Sequence, residues 1–144
     1  MVEIREAIPE DAQAISLLNE FQMGYKYSIT ETREKIVQLS SGKTDKIFVA
    51  VMDGNVVGYV HANDYDTLYI PHMKNILGIA VDEDYKHQGI GHMLMNAVEA
   101  WAKESNAKGI RLVSGITRTT AHKFYENCGF SEGKQQINYK KFFE

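Results

Sequence analysis

Between residues 79 and 105 the chain passes from a β-branched run, across two glycines, into a long helical stripe. That passage requires a strand and a helix packed in one layered domain. Ile79 to Val81 reads as the end of a buried strand. An acidic, aromatic turn follows, Asp82 to Tyr85. Gln88-Gly89-Ile90-Gly91 then opens a helix expected to run from Gly89 to about Ser105. Its apolar residues Ile90, Met93, Leu94, Ala97, Val98, Trp101 and Ala102 fall on one helical face. Glycines at a helix start let a ligand come close to the backbone, and the first-turn N–H groups have no partner inside the helix. The positive end of the helix dipole points the same way, so this turn suits a pyrophosphate or another polyanion.

Two nucleotide-binding patterns can be tested against these residues. A P-loop would continue into Gly-Lys-Ser/Thr, whereas His92 and Met93 follow Gly91. A dinucleotide fingerprint needs a third glycine where Leu94 stands, and an early place in the chain. Neither pattern is met.

At 144 residues the chain has the size of one domain with a real core. A net charge of −3 with no basic tract argues against a nucleic-acid or anionic-membrane partner. The N-terminus lacks a signal peptide's apolar stretch, and no run approaches the length of a membrane span. A single cysteine excludes an internal disulfide framework and suits a reducing, cytoplasmic setting.

Val2 to Ala7 reads as a first strand. Pro9, Glu10 and Asp11 open a first helix through Ala12, Ile15, Leu18 and Asn19. A second helix is expected after Thr30, with Ile36, Val37 and Leu39 inward. Ile47 to Met52, the turn Asp53-Gly54-Asn55 and Val56 to Val60 form a hairpin. Met73 to Val81 and Lys108 to Ile116 are further strands, Thr119 to Asn127 a short helix stopped at Cys128-Gly129, and Phe130 onward with Ile137 to Phe143 a closing hairpin.

Lys86-His87-Gln88-Gly89-Ile90-Gly91 resembles the acyl-CoA-binding signature of the GNAT N-acetyltransferase superfamily, Arg/Gln-x-x-Gly-x-Gly/Ala. Lys86 departs from it, keeping the charge and losing the planar fork. A second stretch from Arg118 to Phe130 resembles the family's Asn-x-x-Ala-x-x-Phe-Tyr-Glu-x-x-Gly-Phe. Ala121, Phe124, Tyr125, Glu126, Gly129 and Phe130 match in order, and Arg118 replaces the Asn. The resemblance spans essentially the whole chain. It implies an α/β fold, with a mixed, mostly antiparallel sheet flanked by helices in a single domain over residues 1–144.

It also implies acetyl-CoA as co-substrate, held by Ile79, Ala80, Val81, Lys86, His87, Gln88, Gly89, Ile90, Gly91, His92, Arg118, Ala121 and Phe124. The backbone of Ile79 and Val81 would pair with the pantetheine where that strand splays from Leu112–Ile116. An N–H there would polarise the thioester carbonyl. Tyr125 takes the family's general-acid position, protonating a departing thiolate whose thiol pKa is about 8.5. The alternative is a core aromatic beside Phe124.

Many relatives carry a Glu on the strand before the glycine turn, as the base for the amine. Met73 to Val81 contains no acid. Asp64, Asp66, His61 and His72 are substitutes, each otherwise a polar residue in water, and no base is assigned. Phe21, Met23, Tyr25 and Tyr27 lie where the acceptor side of this fold is expected, or are ordinary inter-helix packing. Tyr65 and Tyr69, with Asp64 and Asp66, would suit a cationic amine.

The five histidines form no ligand-spaced pair, so no metal is expected; His87 and His92 are five apart and do not share a helix face. His122 reads as a helix-surface residue or one against the cofactor. Cys128 reads as a small apolar residue at a helix end, with an acyl-accepting thiol as the alternative.

The resulting expectation is an N-acetyltransferase moving acetyl from acetyl-CoA to a primary amine of a small molecule, by direct attack in a ternary complex. The alternatives are acetylation of a protein N-terminus or lysine, a non-catalytic acyl-CoA sensor, and an interaction protein that lost the cofactor. A homodimer through the terminal strands or exposed aromatics is compatible with the sequence and not fixed by it.

Overall fold

A computed structural model describes residues 1–131 and 133–143. The contacts divide the chain into Met1–Leu112 and a second unit from Val113 onward. In the first, strands β1 (Val2–Glu6), β2 (Asp45–Met52), β3 (Asn55–Tyr65), β4 (Met73–Val81) and β5 (Ile110–Leu112) form one sheet in that order. The first four are antiparallel, and β4–β5 is parallel. The mixed, mostly antiparallel sheet expected from the sequence is therefore present.

Helices cover both faces of this sheet. Helices α1 (Ala12–Leu18) and α2 (Ile29–Ser40) lie on one face, where Ile15, Leu18 and Ile36 cluster with Ile47, Val49, Tyr59 and Ala80. Helix α3 (Ile90–Glu104) lies on the other, as Gly58 shows: a Cβ there would meet Leu94 Cδ1 at 3.3 Å and Ile90 Cγ2 at 3.4 Å. The buried stripe of α3 is Ile90, Leu94, Met95, Val98, Trp101 and Ala102. Met93 and Ala97 sit at its half-buried margin, so the stripe is turned slightly toward Met95 from the sequence expectation. No helix of the described residues is long and apolar enough to cross a membrane.

Local chemistry sets several boundaries. Ser28 caps α2 by accepting from the Glu31 amide at 3.0 Å, which starts the helix one residue before Thr30. Asp11, buried, takes two bonds from Arg5 at 2.8 and 3.0 Å and one from the Ile8 amide at 2.9 Å. This ties β1 to the entry of α1, and the hydrogen bond to Asp11 is the main reason the Arg5 pKa is raised. After Leu18 the helix widens into a π turn, Asn19–Met23, which ends at Gly24 in a left-handed conformation.

Two expectations fail. Strand β5 covers only Ile110–Leu112 of the expected Lys108–Ile116, because its ladder ends at Ile76, beside a bulge at Leu77 that breaks the run of pairing. The closing hairpin is absent among the described residues. Ile137, Tyr139, Phe142 and Phe143 are exposed and lie in no strand, and Glu132 and Glu144 lie outside the described residues. Alternation there records β-propensity, but a strand also needs a ladder partner.

The second unit contains helix α4 (Thr119–Asn127), within the bounds read from the sequence. Cys128 and Gly129 close it, with the Phe130 amide bonding the Tyr125 carbonyl at 3.0 Å.

Candidate active site

The turn before α3 has the geometry of an anion cradle. His87 and Gly89 both have positive φ, +65° and +80°, around Gln88. Such a path turns successive N–H groups toward one point. A Cβ built on Gly89 meets nothing within 4 Å, so the backbone is open to a ligand. The first helical bond runs from the Met93 amide to the Gly89 carbonyl, leaving the Ile90 and Gly91 amides ahead of it. The Ile90 side chain is buried in the core, so only its backbone can serve here. Lys86 is exposed and pairs with Glu83 at 3.0 Å. His92 is an exposed residue of the first turn of α3.

Strand β4 supplies a second element. It pairs with β3 along its length but with β5 only from Lys74 to Ile76. From Leu77 to Val81 one edge has no strand partner among the described residues, and this stretch includes Ile79, Ala80 and Val81. An open strand edge can pair with an extended amide-bearing ligand as a further strand would. These two features fit the pyrophosphate and the pantetheine of a CoA thioester.

On the α1/α2 face a cleft of about 520 Å³ lies over β2, β3 and β4. Its polar lining includes Asn19, Tyr27, Lys35, Asp45, Tyr59, His61 and Asn63, and Leu77 of the β4 bulge closes one side. His61 Nε2 lies 2.7 Å from Asp45 Oδ2, with both side chains largely buried. The Tyr59 hydroxyl donates to Asn19 Oδ1, which the π turn presents. Burial pushes the Tyr59 pKa up to about 12, partly opposed by that hydrogen bond. His61 is the cross-strand partner of Gly78, within the unpaired edge of β4. A Cβ at Gly78 would stand 3.1 Å from the Tyr59 hydroxyl, tighter than an ordinary contact, so a larger residue there would push on Tyr59.

Of the residues predicted for the acceptor side, Tyr27 lines the cleft, and so does His61, one of the substitutes weighed for the base. Phe21 and Tyr25 are exposed and do not line it. Asp64 is bound by Lys74, a buried lysine whose Nζ lies 3.9 Å from the centroid of the Trp101 ring of α3. That places Asp64 on the α3 face, where it neutralises a buried cation. His72 Nδ1 pairs with Asp66 at 2.7 Å, also outside the cleft lining. Sequence reasoning missed Asp45, Asn19 and Asn63. The alternation of Tyr59, His61 and Asn63 along β3 was the available signal, and it needed the β2 register to bring in Asp45.

In the second unit, Arg118 stands at the N-cap of α4, and Ala121 and Phe124 are half-buried. Tyr125 makes edge contacts with Phe124 and Phe130, at centroid separations of 5.5 and 6.1 Å. Burial raises its pKa, with Arg118 opposing and Cys128 adding to the rise. Tyr125 thus holds its proton at neutral pH, as a proton donor must. Cys128 is half-buried at the C-cap, and the His122 ring nitrogen Nε2 lies 2.9 Å from the Gly115 carbonyl.

Known proteins similar to this chain identify its family. The model of the Acetyltransferase (GNAT) family matches residues 12–130. An aminoglycoside N(6')-acetyltransferase type 1 from Stenotrophomonas maltophilia is 26% identical over 143 residues, spanning 95% of this chain and 91% of that protein. An N-alpha-acetyltransferase from Sulfurisphaera tokodaii is 27% identical over 144 residues, spanning 94% and 84%. The solved structure of AAC(6')-Iy in complex with the bisubstrate analog CoA-S-monomethyl-acetylneamine shares the fold, with a TM-score of 0.86 at 18% identity over 99% of each chain. The family match covers most of the sequence and includes both motifs, so the chain belongs to the GNAT family, the acetyl-CoA-dependent N-acetyltransferases.

Proposed function

We propose that this protein moves an acetyl group from acetyl-CoA to a primary amine of a small molecule, by direct attack within a ternary complex, with residues 1–144 acting as one domain in the cytoplasm. The observation that carries this reading is the position of β4. Its unpaired edge, Leu77–Val81, lies beside the cleft that holds His61 and Asp45. The thioester supplies an activated acyl group once bound.

The chain's own residues do the rest. The Gly89–Gly91 turn holds the phosphates, with Lys86, His87, Gln88 and His92 around it. Backbone groups of Ile79 and Val81 hold the extended arm, and an N–H there polarises the carbonyl. With Nε2–H donating to Asp45, His61 presents the lone pair of Nδ1 and takes a proton from the substrate ammonium. The amine nitrogen bonds to the acyl carbon, the carbon–sulfur bond breaks, and Tyr125 gives its proton to sulfur. The nitrogen's second proton returns to Tyr125, and His61 releases the first to water. The products are an N-acetyl amide, CoA thiol and one released proton. The Tyr125 role rests on its motif position. Arg118, Ala121 and Phe124 are assigned to CoA by the same motif.

The aminoglycoside-acetylating relative supports a small-molecule acceptor. The N-alpha-acetyltransferase relative supports a peptide N-terminus as a second reading. A thiol-release assay with acetyl-CoA against polyamines, amino sugars, amino acids and peptides separates them. Turnover of a small amine supports the first reading, and turnover of peptides alone replaces it with the second. Tyr125→Phe should keep the CoA-induced rise in melting temperature while lowering turnover. Failure of CoA to stabilise the protein, with no turnover of any amine, would remove the enzyme reading altogether.

A further inference from the structure

A polar row crosses the sheet beside the cleft. Asp45, Asn63, Asn75 and Arg111 are successive cross-strand partners on β2, β3, β4 and β5. Cross-strand partners share a face, so the row continues the floor that Asp45 and Asn63 give the cleft. The side chains are linked as well: Asn75 Nδ2 approaches Asn63 Oδ1 at 3.3 Å, and Arg111 donates to Asn75 Oδ1 at 2.7 Å. The Arg111 guanidinium also lies over the Tyr65 ring, 4.3 Å from its centroid.

Arg111 is half-buried and forms no salt bridge with any carboxylate of the described residues. One of its five N–H donors serves Asn75, and the aromatic face fixes its plane, which leaves a prepared fork. Across the cleft and the row the charged side chains are Lys35, Asp45 and Arg111, with Asp45 already engaged by His61. The surface is therefore net positive with a neutral imidazole, on a chain whose overall charge is −3. A pocket for a polycationic amine would carry the opposite balance. Arg111 stands opposite Asn75, two residues from Leu77, so the fork lies about 7 Å along β4 from the start of the open edge.

We propose that Arg111, oriented by Asn75 and Tyr65, binds an anionic group of the acceptor, so that the substrate is a small amine carrying a carboxylate or phosphate. The inference rests on the acetyltransferase reading and narrows its substrate class. Arginine suits either anion through paired N–H bonds.

Matched acceptors test it on the whole chain saturated with acetyl-CoA: β-alanine against β-alaninamide, γ-aminobutyrate against butylamine, and phosphoethanolamine against ethanolamine. The anionic member of at least one pair should show a kcat/KM higher by about tenfold or more. A preference for the carboxylates or for the phosphate names the source. Arg111→Gln should bring the favoured pair within about threefold while CoA still raises the melting temperature. Arg111→Lys, which keeps the charge and loses the fork, should fall between the two.

Equal or better turnover of the neutral members overturns the subsite and leaves the acetyltransferase intact. Full discrimination by Arg111→Gln overturns it as well. So does the absence of both turnover and added thermal stabilisation from every anionic amine, in protein that CoA stabilises. Loss of CoA binding together with all amine turnover is a different result, and it removes the parent reading.

Discussion

Alternate residues of β3 serve two unlike surfaces. Gly58, Val60 and Ala62 alternate onto the α3 side and are buried, Gly58 against Leu94 and Ile90. Tyr59, His61 and Asn63 line the cleft beneath α1 and α2. The α3 face is mostly apolar, and a buried charge on it, Lys74, is matched by Asp64 and the Trp101 ring. The cleft face keeps an imidazole–carboxylate pair, a hydrogen-bonded tyrosine and a row of amides ending in an arginine. One strand thus anchors a dry core and a polar site separated only by the thickness of its backbone. Packing on one face holds the backbone that positions the side chains on the other.

Substitutions on the two faces should therefore have opposite signatures. The largest effect is expected for His61→Gln. Turnover should fall by about a hundredfold or more, while CoA still stabilises the variant. A near-normal rate would move the base elsewhere and leave the cleft face with a binding role only.

Leu94→Ala on the α3 face should cost about 2–5 kcal/mol of folding stability, because Leu94 is wholly buried and the cavity can only partly close. Urea denaturation measures this. Any surviving folded fraction should retain its KM for the acceptor, and a large change in that KM would show that the two faces are coupled.

The smallest effect is electrostatic. Unfolded tyrosine titrates near about 10, while burial holds Tyr59 up at about 12. Above pH 10 the unfolded chain loses this proton first. The stabilising contribution is complete below that pH and is lost as pH rises toward 12. At about pH 11, Tyr59→Phe should have lost roughly 1 kcal/mol less stability than the parent, each relative to its own value at neutral pH. Parallel losses in the two proteins would show that Tyr59 is not the group responsible.

Much of this architecture is legible in the residues themselves. The stripe of α3 follows from helical spacing, the hairpin from Asp53-Gly54, and the anion turn from paired glycines at a helix start. The limits of α4 were also readable, because Gly129 stops it. The cleft was much less so. Of the acidic and histidine candidates near β4, Asp64 and His72 are taken up by Lys74 and Asp66, and a sequence cannot reveal which neighbours claim a side chain. The family resemblance put Phe21 and Tyr25, between the first two helices, on the acceptor side, yet both are exposed outside the cleft lining.

The strand and helix periods, the glycine turn and the family motifs were determined locally, because each depends on residues within a few positions of one another. Register was decided by the tertiary structure. Continuing the Met52–Asn55 pairing would set Asp45 opposite Ala62, on the side that faces α3; a bulge at Val57 shifts its partner to Asn63. A second bulge at Leu77 likewise moves Asn63 from Ile76 to Asn75, and so into line with Arg111. Strand side chains alternate with a period of two, so a one-residue slip exchanges the faces. Local propensity does not fix where those slips fall; the packing of both helical layers against one sheet does.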